Sequence, residues 1–291
     1  MQFKQELLFV LLILKLITAK HLEPAMPSLS ARPSVTYDVQ YVIGGEIALP
    51  KEFASMARLG HRNELNVTNW LCGGTLISNR LVLTAAHCLY SDVGAINIVR
   101  LGELDFSLLS DDADAEDFGV RTITEHPDFK YPNLYNDIAI VMLSRVVRFN
   151  AYKAEACLPF ENGDATSNFI ATGWGDVALA GKESSRLMKV ELSNYGNNCS
   201  LAKDIEELPN GYNATTQLCI GSHERKDTCN GDSGGPALKY NGVYPCIHFI
   251  MGITSIGIGC GIPNQPTIYT RVHFYRDWIL QHIERSQLIW L

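Results

Sequence analysis

One serine in this chain has a setting that could make its hydroxyl a nucleophile. Ser233 lies in the hexapeptide Gly-Asp-Ser-Gly-Gly-Pro, residues 231–236. The glycines free the backbone, so that the N–H groups of Gly231 and Ser233 can point at one spot. A serine hydroxyl attacks a carbonyl only when a base takes its proton and donors receive the negative oxygen. This stretch therefore supplies a nucleophile and an oxyanion hole, and the rest of the chain must supply the base.

A candidate base and its partner occur earlier in the chain. His87 follows the apolar run 81–83, and Asp137 begins a run of apolar residues. Histidine, aspartate and serine in this order match one known order of the hydrolytic triad. Each residue alone would more often be structural, but order and flanks together favour acyl transfer. Ser233 would attack, His87 would move the proton, and Asp137 would hold the imidazole tautomer.

Several short motifs between Val42 and Glu284 carry a family resemblance. They are Val-Ile-Gly-Gly at 42–45, Trp-Leu-Cys-Gly-Gly-Thr-Leu at 70–76, Thr-Ala-Ala-His-Cys at 84–88, Asn-Asp-Ile-Ala-Ile at 136–140, Gly-Trp-Gly at 173–175, the stretch 227–236 and Tyr-Thr-Arg-Val at 269–272. In this order they resemble the trypsin-like (chymotrypsin-fold) serine proteases. The stretches 101–106 and 252–255 resemble the arthropod clip-domain proteases of defence and developmental cascades. A clip domain would need six cysteines, and residues 20–41 contain none.

The pattern of apolar residues predicts an all-β fold. From Val42 onward, runs of about five to eight apolar or alternating residues recur between Gly, Asn, Asp and Pro. Only residues 274–285 show helical spacing. The resemblance implies two six-stranded antiparallel β-barrels with the active site between them, followed by a C-terminal helix. His87 and Asp137 would come from the first barrel and Ser233 from the second.

Composition and the first residues indicate a secreted protein. Residues 1–19 are typical of a signal peptide, with an apolar stretch too short to span a bilayer. Residues 20–41, with prolines and small polar residues, predict a pro-segment, and 42–291 the protease domain. The formal net charge of −7 argues against nucleic acid as a partner. We expect an extracellular monomer without a membrane anchor.

Cysteine usage supports an oxidising compartment. The chain has eight cysteines, an even number, and spacing alone leaves many pairings open. The resemblance implies Cys72–Cys88, Cys199–Cys219 and Cys229–Cys260. We expect the remaining Cys157 and Cys246 to pair with each other. Two free thiols, or a link to another chain, are the alternatives.

The resemblance also implies activation by cleavage. Val42 matches the family's mature N-terminus, and its freed amine would pair with Asp232 beside the nucleophile. Most relatives are cut after Arg or Lys, whereas Tyr41 precedes this bond. We therefore expect a chymotrypsin-like protease to activate this zymogen.

Substrate selection is expected at four positions. Asp227 matches the carboxylate at the floor of a trypsin-like pocket, and Ser255 and Gly257 match its wall. Thr267 stands where trypsin-like members usually have glycine, so its side chain would fill space. We expect cleavage after Arg or Lys. A restricted pocket for small or His-like residues, or low activity on short substrates, is the alternative.

An acidic stretch at 103–117 matches a loop that binds Ca²⁺ in related proteases. Glu103 and Glu116 are the ligands we favour, since calcium binds several such oxygens. A solvated run of charge is the alternative. Catalysis itself would need no cofactor.

Two sequons indicate surface sites in a secreted chain. Asn66 and Asn213 each begin an Asn-x-Thr triplet, the acceptor for N-glycosylation.

Together these features predict a secreted serine endopeptidase zymogen. Its substrate would be another secreted zymogen, in a cascade of immunity or development, with an upstream activating protease and inhibitors such as serpins. A digestive or venom protease is one alternative. A weakly active protease homologue that acts as a binding module is the other, although such proteins usually lose the serine or histidine.

Overall fold

The structure is a computed structural model that describes residues 44–176, 181–197, 199, 205–243, 246–257 and 259–288. The expected signal peptide and pro-segment, with Tyr41 and Val42, lie outside the described residues. The side chain of Cys246 also lies outside them, although its backbone belongs to a described strand.

Antiparallel strands joined by turns form the described part of the chain. The strands are β1 (Glu46–Ile47), β2 (Met56–Arg62), β3 (Thr68–Leu76), β4 (Leu81–Thr84), β5 (Ile98–Leu101), β6 (Glu116–Glu125), β7 (Ala139–Leu143), β8 (Asn168–Gly173), β9 (Met188–Asn194), β10 (Gln217–Gly221), β11 (Pro236–Val243), β12 (Cys246–Ile256) and β13 (Thr267–Arg271). Short 3₁₀ turns cover Ala86–Leu89 and Val272–Tyr275, and helix α1 (Arg276–Leu288) follows.

The first barrel is closed by the strands β2–β3–β4–β7–β6–β5, paired in that order. Alternate residues of a strand point to opposite faces, so each strand sends every second side chain inward. Leu59, Leu83, Val99, Phe118 and Val141 are fully buried in the core of this barrel.

The second barrel uses the remaining long strands. β8, β9, β10, β13, β12 and β11 pair in that order, and β11 pairs back with β8. The short β1 adds to β9, with Glu46 opposite Lys189. Phe169, Leu218 and Tyr269 are buried at its centre. The predicted all-β fold with two six-stranded antiparallel barrels is thus confirmed.

The predicted C-terminal helix is confirmed as α1. Ile279 is buried, and Trp278 and Ile283 pack partly buried against the same apolar cluster as the first barrel's core. Among the described residues, no helix combines the length and apolar character needed to cross a membrane.

The barrels meet backbone to backbone. The N–H of Gly73, on β3, donates to the carbonyl of Ser233 at 2.8 Å. A Cβ on Gly73 would lie 2.9 Å from Cα of Gly235 and 3.2 Å from Cε of Met56. Only glycine fits such an approach, so this position holds the second barrel's Ser233 segment against the first barrel.

Disulfides join Cys72 to Cys88, Cys199 to Cys219 and Cys229 to Cys260, the pairings that the resemblance implies. Cys157 is disulfide-bonded as well. Its backbone pairs beside β12, where its N–H donates to the carbonyl of His248 at 3.0 Å. Pairing with Cys246, on the same strand, stays a prediction.

Candidate active site

His87 and Asp137 form a tightly held pair. β4 ends at Thr84, and the 3₁₀ turn Ala86–Leu89 then presents His87 at the barrel's edge. Its backbone N–H donates to Oδ1 of Asp137 at 2.9 Å, and its Nδ1 lies 2.8 Å from Oδ2. The carboxylate is fully buried, while the imidazole is about 20% exposed. Asp137 thus occupies Nδ1, and Nε2, which lies 3.9 Å from Sγ of Cys88, is the ring nitrogen left to serve as a base.

Residues of the second half of the chain hold Asp137 in place. Ser255 donates from Oγ to Oδ2 of Asp137 at 2.5 Å, and the hydroxyl of Thr270 donates to its carbonyl at 2.7 Å. The preceding Asn136 has a φ of +56° and accepts a hydrogen bond from the Tyr275 hydroxyl. Sequence reasoning missed Thr270 and Tyr275 as supports. Thr270 does lie in the motif at 269–272, but Tyr275 has no signal of its own.

The pair favours its charged form. Burial acts to lower the pKa of His87, but the charge and hydrogen bond of Asp137 outweigh it and raise that pKa above its ordinary 6.5. Burial acts to raise the pKa of Asp137, but the charge of His87 and the hydrogen bonds from His87 and Ser255 hold it below its ordinary 3.8. Asp137 therefore stays ionised and stabilises an imidazolium.

Ser233 lies in a tight turn against the strand that leads to His87. Gly234 has a φ of +76°, and a Cβ there would collide with the hydroxyl of Thr84 and lie 3.1 Å from the N of Ala85. Its N–H donates to the carbonyl of Thr254 at 2.9 Å. The turn thus packs beside the segment that ends at His87, and Ser233 itself is partly exposed. Glycine is required at 234 by both conformation and space.

A cavity of about 270 Å³ opens beside Ser233. Its lining is Thr228, Cys229, Asn230, Ser233, Thr254, Ser255, Ile256, Gly257, Gly259, Cys260 and Thr267. Three residues that the resemblance assigns to the pocket, Ser255, Gly257 and Thr267, are therefore brought together with Ser233. A cavity of this size admits one side chain of a substrate.

Asp227 lies behind Thr267 and is 1% exposed. Its Oδ1 accepts hydrogen bonds from the N–H of Thr228 at 2.8 Å and from the hydroxyl of Thr267 at 3.2 Å. Its Oδ2 is buried with no hydrogen-bond partner. Burial raises the pKa of this carboxyl to about 7. An unpartnered carboxylate oxygen at this depth is suited to a cationic side chain.

Asp232 is buried beneath the Ser233 turn. Its two carboxylate oxygens accept the N–H groups of Gly175 and Cys229, at 2.8 Å and 3.0 Å. Side chains at Gly173 or Gly175 would collide with this carboxyl. Burial raises the pKa of Asp232 to about 6. Its expected partner Val42 lies outside the described residues.

The acidic stretch does not fit the expected calcium site. The ammonium of Lys153, 3% exposed, lies 2.7 Å from Oδ2 of Asp114 and 2.9 Å from Oε2 of Glu116. Glu103 accepts instead from Arg100 at 3.2 Å. Across the described part of the chain, no three acidic side chains bring oxygens together around one point. Each expected calcium ligand is thus already paired with a cationic side chain, Glu103 with Arg100 and Glu116 with Lys153 and Arg145.

Asn66 and Asn213 are both exposed, as glycan acceptors must be. Asn66 lies in a turn with a φ of +61°. Asn213 accepts the N–H of Thr215 at 3.0 Å through its side-chain oxygen. Their exposure is compatible with N-glycosylation, which stays a prediction at both positions.

A family model described as Trypsin matches residues 42–279. The chain belongs to the trypsin family. It is 34% identical to phenoloxidase-activating factor 3 of Holotrichia diomphalia over 257 residues, which cover 83% of this chain and 72% of that protein. It is 34% identical to the venom protease of Bombus pensylvanicus over 247 residues, which cover 81% of this chain and 96% of that protein.

The resemblance to clip-type proteases is confirmed among the relatives of this trypsin-family protein. The chain is 31% identical to CLIP domain-containing serine protease B9 of Anopheles gambiae over 261 residues, which cover 84% of this chain and 63% of that one. The protein is therefore a serine endopeptidase related to arthropod cascade proteases. Trypsin-like catalysis needs no cofactor.

Proposed function

We propose that this protein is the precursor of a secreted serine endopeptidase whose reaction is carried by Ser233, His87 and Asp137. The observation that carries the proposal is the doubly hydrogen-bonded contact of His87 with buried Asp137, at 2.9 Å and 2.8 Å. The Ser233 turn packs against the strand that leads to His87. Together these contacts support a cleft in which a base, its orienting carboxylate and a hydroxyl act together.

In the proposed reaction, Oγ of Ser233 attacks the carbonyl carbon of the scissile peptide bond, and its proton passes to Nε2 of His87. The N–H groups of Gly231 and Ser233 receive the oxyanion. The C–N bond then breaks as Nε2 returns the proton to the leaving amine, which leaves an acyl-Ser233 ester. Water, deprotonated by His87, hydrolyses the ester and restores the serine.

Activation is proposed to occur by cleavage between Tyr41 and Val42. The new amine would enter the protein and pair with Asp232, the residue before the nucleophile. Asp232 supports this role because it is 2% exposed and receives only backbone N–H groups at 2.8 Å and 3.0 Å. An ammonium there would hold the carboxylate ionised and fix the adjoining turn. Because Tyr41 precedes the bond, the activator would be a chymotrypsin-like protease.

The primary specificity is proposed to be for Arg or Lys. The support is the buried, unpartnered Oδ2 of Asp227, which a guanidinium or ammonium would satisfy. Thr267 works against the longest side chains, because its hydroxyl lies 2.7 Å from the position of a Cβ on Gly257. A restricted pocket for small or His-like residues is the alternative, and Thr267 is the observation that favours it.

The substrate is proposed to be another secreted zymogen, within an immune or developmental cascade. Similarity to a protein named phenoloxidase-activating factor supports this. Similarity to a venom protease keeps that role as the second candidate. Secretion, glycosylation at Asn66 and Asn213, control by serpin-type inhibitors and a monomeric state belong to the same proposal.

The test begins with purified precursor, treated in parallel with chymotrypsin and with trypsin. N-terminal sequencing follows each cleavage, and a peptide library with every residue at the cleavage position measures activity. The proposal predicts a Val42 N-terminus and turnover after chymotrypsin, with Arg and Lys enriched. A Ser233→Ala precursor, treated identically, corrects for added protease. Val42-started protein that binds peptides without cutting them would identify a binding module instead.

A further inference from the structure

A charged side chain is buried where the first barrel faces the second. Arg58 lies on β2 and is 1% exposed, between the buried apolar residues Ala57 and Leu59. Because side chains alternate along a strand, Arg58 points away from the barrel core that Ala57 and Leu59 enter. Arginine is almost never fully buried unless it is paired, so its partners indicate its purpose.

The partners of Arg58 belong to the loops around the proposed oxyanion hole. Nη1 donates to the carbonyl of Gly231 at 2.7 Å. Nη2 donates to Oε1 of Glu183 at 2.5 Å, and Glu183 is about half exposed. Nε is buried with no hydrogen-bond partner. The guanidinium thus spans the two barrels and is aimed at one backbone carbonyl.

This arrangement costs stability that an apolar side chain would not. A buried ion pair commonly stabilises a fold less than apolar residues of the same volume. Here one partner is half exposed and one guanidinium N–H is unsatisfied. A gain in stability therefore does not explain why an arginine is buried at position 58. Its hydrogen bond to the Gly231 carbonyl is the contact that indicates its role.

The Gly231 carbonyl belongs to the peptide between the two oxyanion donors. The C=O and N–H of a trans peptide point in opposite directions, so fixing a carbonyl also directs its N–H. On one side, the N–H of Asp176 fixes the carbonyl of Asn230 at 2.7 Å, which directs the N–H of Gly231. On the other, the N–H of Gly235 fixes the carbonyl of Asp232 at 2.9 Å, which directs the N–H of Ser233.

Two contacts hold the remaining peptide of the three: its N–H, that of Asp232, donates to the carbonyl of Cys229 at 3.0 Å, and its carbonyl, that of Gly231, accepts from Arg58. Gly231 has a φ of +90°, and glycine can leave this conformation easily because it has no Cβ. With its carbonyl held, the peptide that links the two donor peptides keeps its orientation, which limits how far either neighbouring peptide can turn.

We propose that Arg58 is a positioning residue for the hydrolysis: its guanidinium, oriented by Glu183, holds the Gly231 carbonyl so that both oxyanion donors keep their direction. The inference rests on the proposed function of Ser233. It does not make Arg58 a catalytic residue, because the side chain touches the turn and not the reacting atoms.

The experiment compares Arg58→Met with the wild type, both cleaved at Tyr41. A peptide amide substrate yields kcat and KM. A peptide aldehyde of the same sequence yields an inhibition constant that depends on the oxyanion hole, since its adduct places a negative oxygen there. We expect kcat to fall by about tenfold or more, with KM within about twofold, because a misdirected oxyanion donor acts on the transition state. Affinity for the aldehyde should fall in parallel.

Two further variants keep the test decisive. Glu183→Gln, at a half-exposed position, should lower kcat in the same sense by a smaller factor. Arg62→Met is the matched control: it removes an arginine from the same strand, whose partner Asp117 at 2.6 Å lies away from the cleft. Arg62→Met should leave kcat and the inhibition constant of the aldehyde unchanged.

Equal kcat in Arg58→Met and wild type would overturn the inference. If Arg58→Met does not fold, an unchanged kcat and aldehyde affinity in Glu183→Gln overturn it as well. A wild-type protein that is cleaved at Tyr41 but shows no turnover would instead contradict the proposed function itself.

Discussion

The hydroxyl of Thr267 lies 3.2 Å from Oδ1 of Asp227 and donates a hydrogen bond to it behind the substrate cavity. The same side chain narrows the cavity, because its Oγ1 lies 2.7 Å from the position of a Cβ on Gly257. The other carboxylate oxygen of Asp227 stays buried and unpartnered. In the proposed pocket, one threonine would thus restrict the space for a long cationic side chain while leaving the carboxylate that is proposed to attract it.

Removing this side chain should widen the pocket. In Thr267→Gly, we expect kcat/KM for Arg relative to Ala at the cleavage position to rise by about tenfold, the lower end of what a pocket methylene contributes. Thr267→Ser keeps the hydroxyl and removes the methyl, so an intermediate ratio would assign the effect to volume. An Arg-to-Ala ratio that is the same in all three proteins would show that Thr267 does not limit the pocket.

The charge of Asp227 should make specificity depend on pH. Its pKa is raised to about 7 by burial, so the free enzyme carries the carboxylate above that pH and the neutral acid below it. The value of kcat/KM reports ionisation in the free enzyme. The ratio of kcat/KM for a substrate with Arg at the cleavage position to that for one with Ala should therefore rise about tenfold between pH 6 and pH 8. Dividing by the Ala value cancels the titration of His87. Asp227→Asn should give a flat ratio, and a flat ratio in the wild type would contradict the assignment.

Lys153 should make the acidic loop independent of calcium. We expect the same wild-type melting temperature in millimolar Ca²⁺ and in EDTA. Lys153→Met leaves Asp114 without its cation and Glu116 with Arg145 alone, at 2.6 Å. Loss of the buried ammonium should lower the free energy of unfolding by about 1–3 kcal/mol, because its ion pairs with partly exposed carboxylates are broken. Added Ca²⁺ should restore part of that loss.

Lys51→Met is the control for that loop, since Lys51 pairs with Asp112 at 2.9 Å and is about 40% exposed. Because this ion pair is exposed to solvent, its loss should change the free energy of unfolding much less than Lys153→Met does. A wild-type melting temperature that rises in Ca²⁺ would show that the loop binds calcium despite Lys153.

Asp137 should be essential for rate and dispensable for folding. Asp137→Asn keeps the volume but removes the charge that raises the pKa of His87, and its amide favours the wrong tautomer. We expect kcat to fall by about 10³–10⁴-fold with an unchanged disulfide-bonded fold. The exposed Asp128→Asn, in the same loop, is the control and should retain full activity. Comparable kcat values for the two variants would exclude Asp137 from the mechanism.

Candidate site residues that lie within short sequence motifs could be predicted from the sequence. Ser233, His87 and Asp137 each lie in a short segment of unusual composition. The alternating runs indicated an all-β fold, and the family resemblance implied its two barrels. Arg58 could not be found this way. It lies in a strand beside apolar residues, where an arginine is expected to point into solvent.

Long-range partners account for the other gaps. Glu116 was assigned to calcium because carboxylates cluster along the sequence, but its cation, Lys153, comes from a segment 37 residues away. Thr270 holds the carbonyl of Asp137 across 133 residues. Such contacts depend on strand register and barrel docking, which composition and spacing do not determine.

The central claim is that the Ser233 hydroxyl becomes reactive because His87 removes its proton. The most direct measurement treats the precursor cleaved at Tyr41 with a fluorophosphonate and locates the adduct by mass spectrometry. We predict stoichiometric labelling of Ser233, with labelling lost in His87→Ala and greatly reduced in uncleaved precursor. An unlabelled Ser233 in correctly cleaved, folded protein, or equal labelling in His87→Ala, would contradict the account.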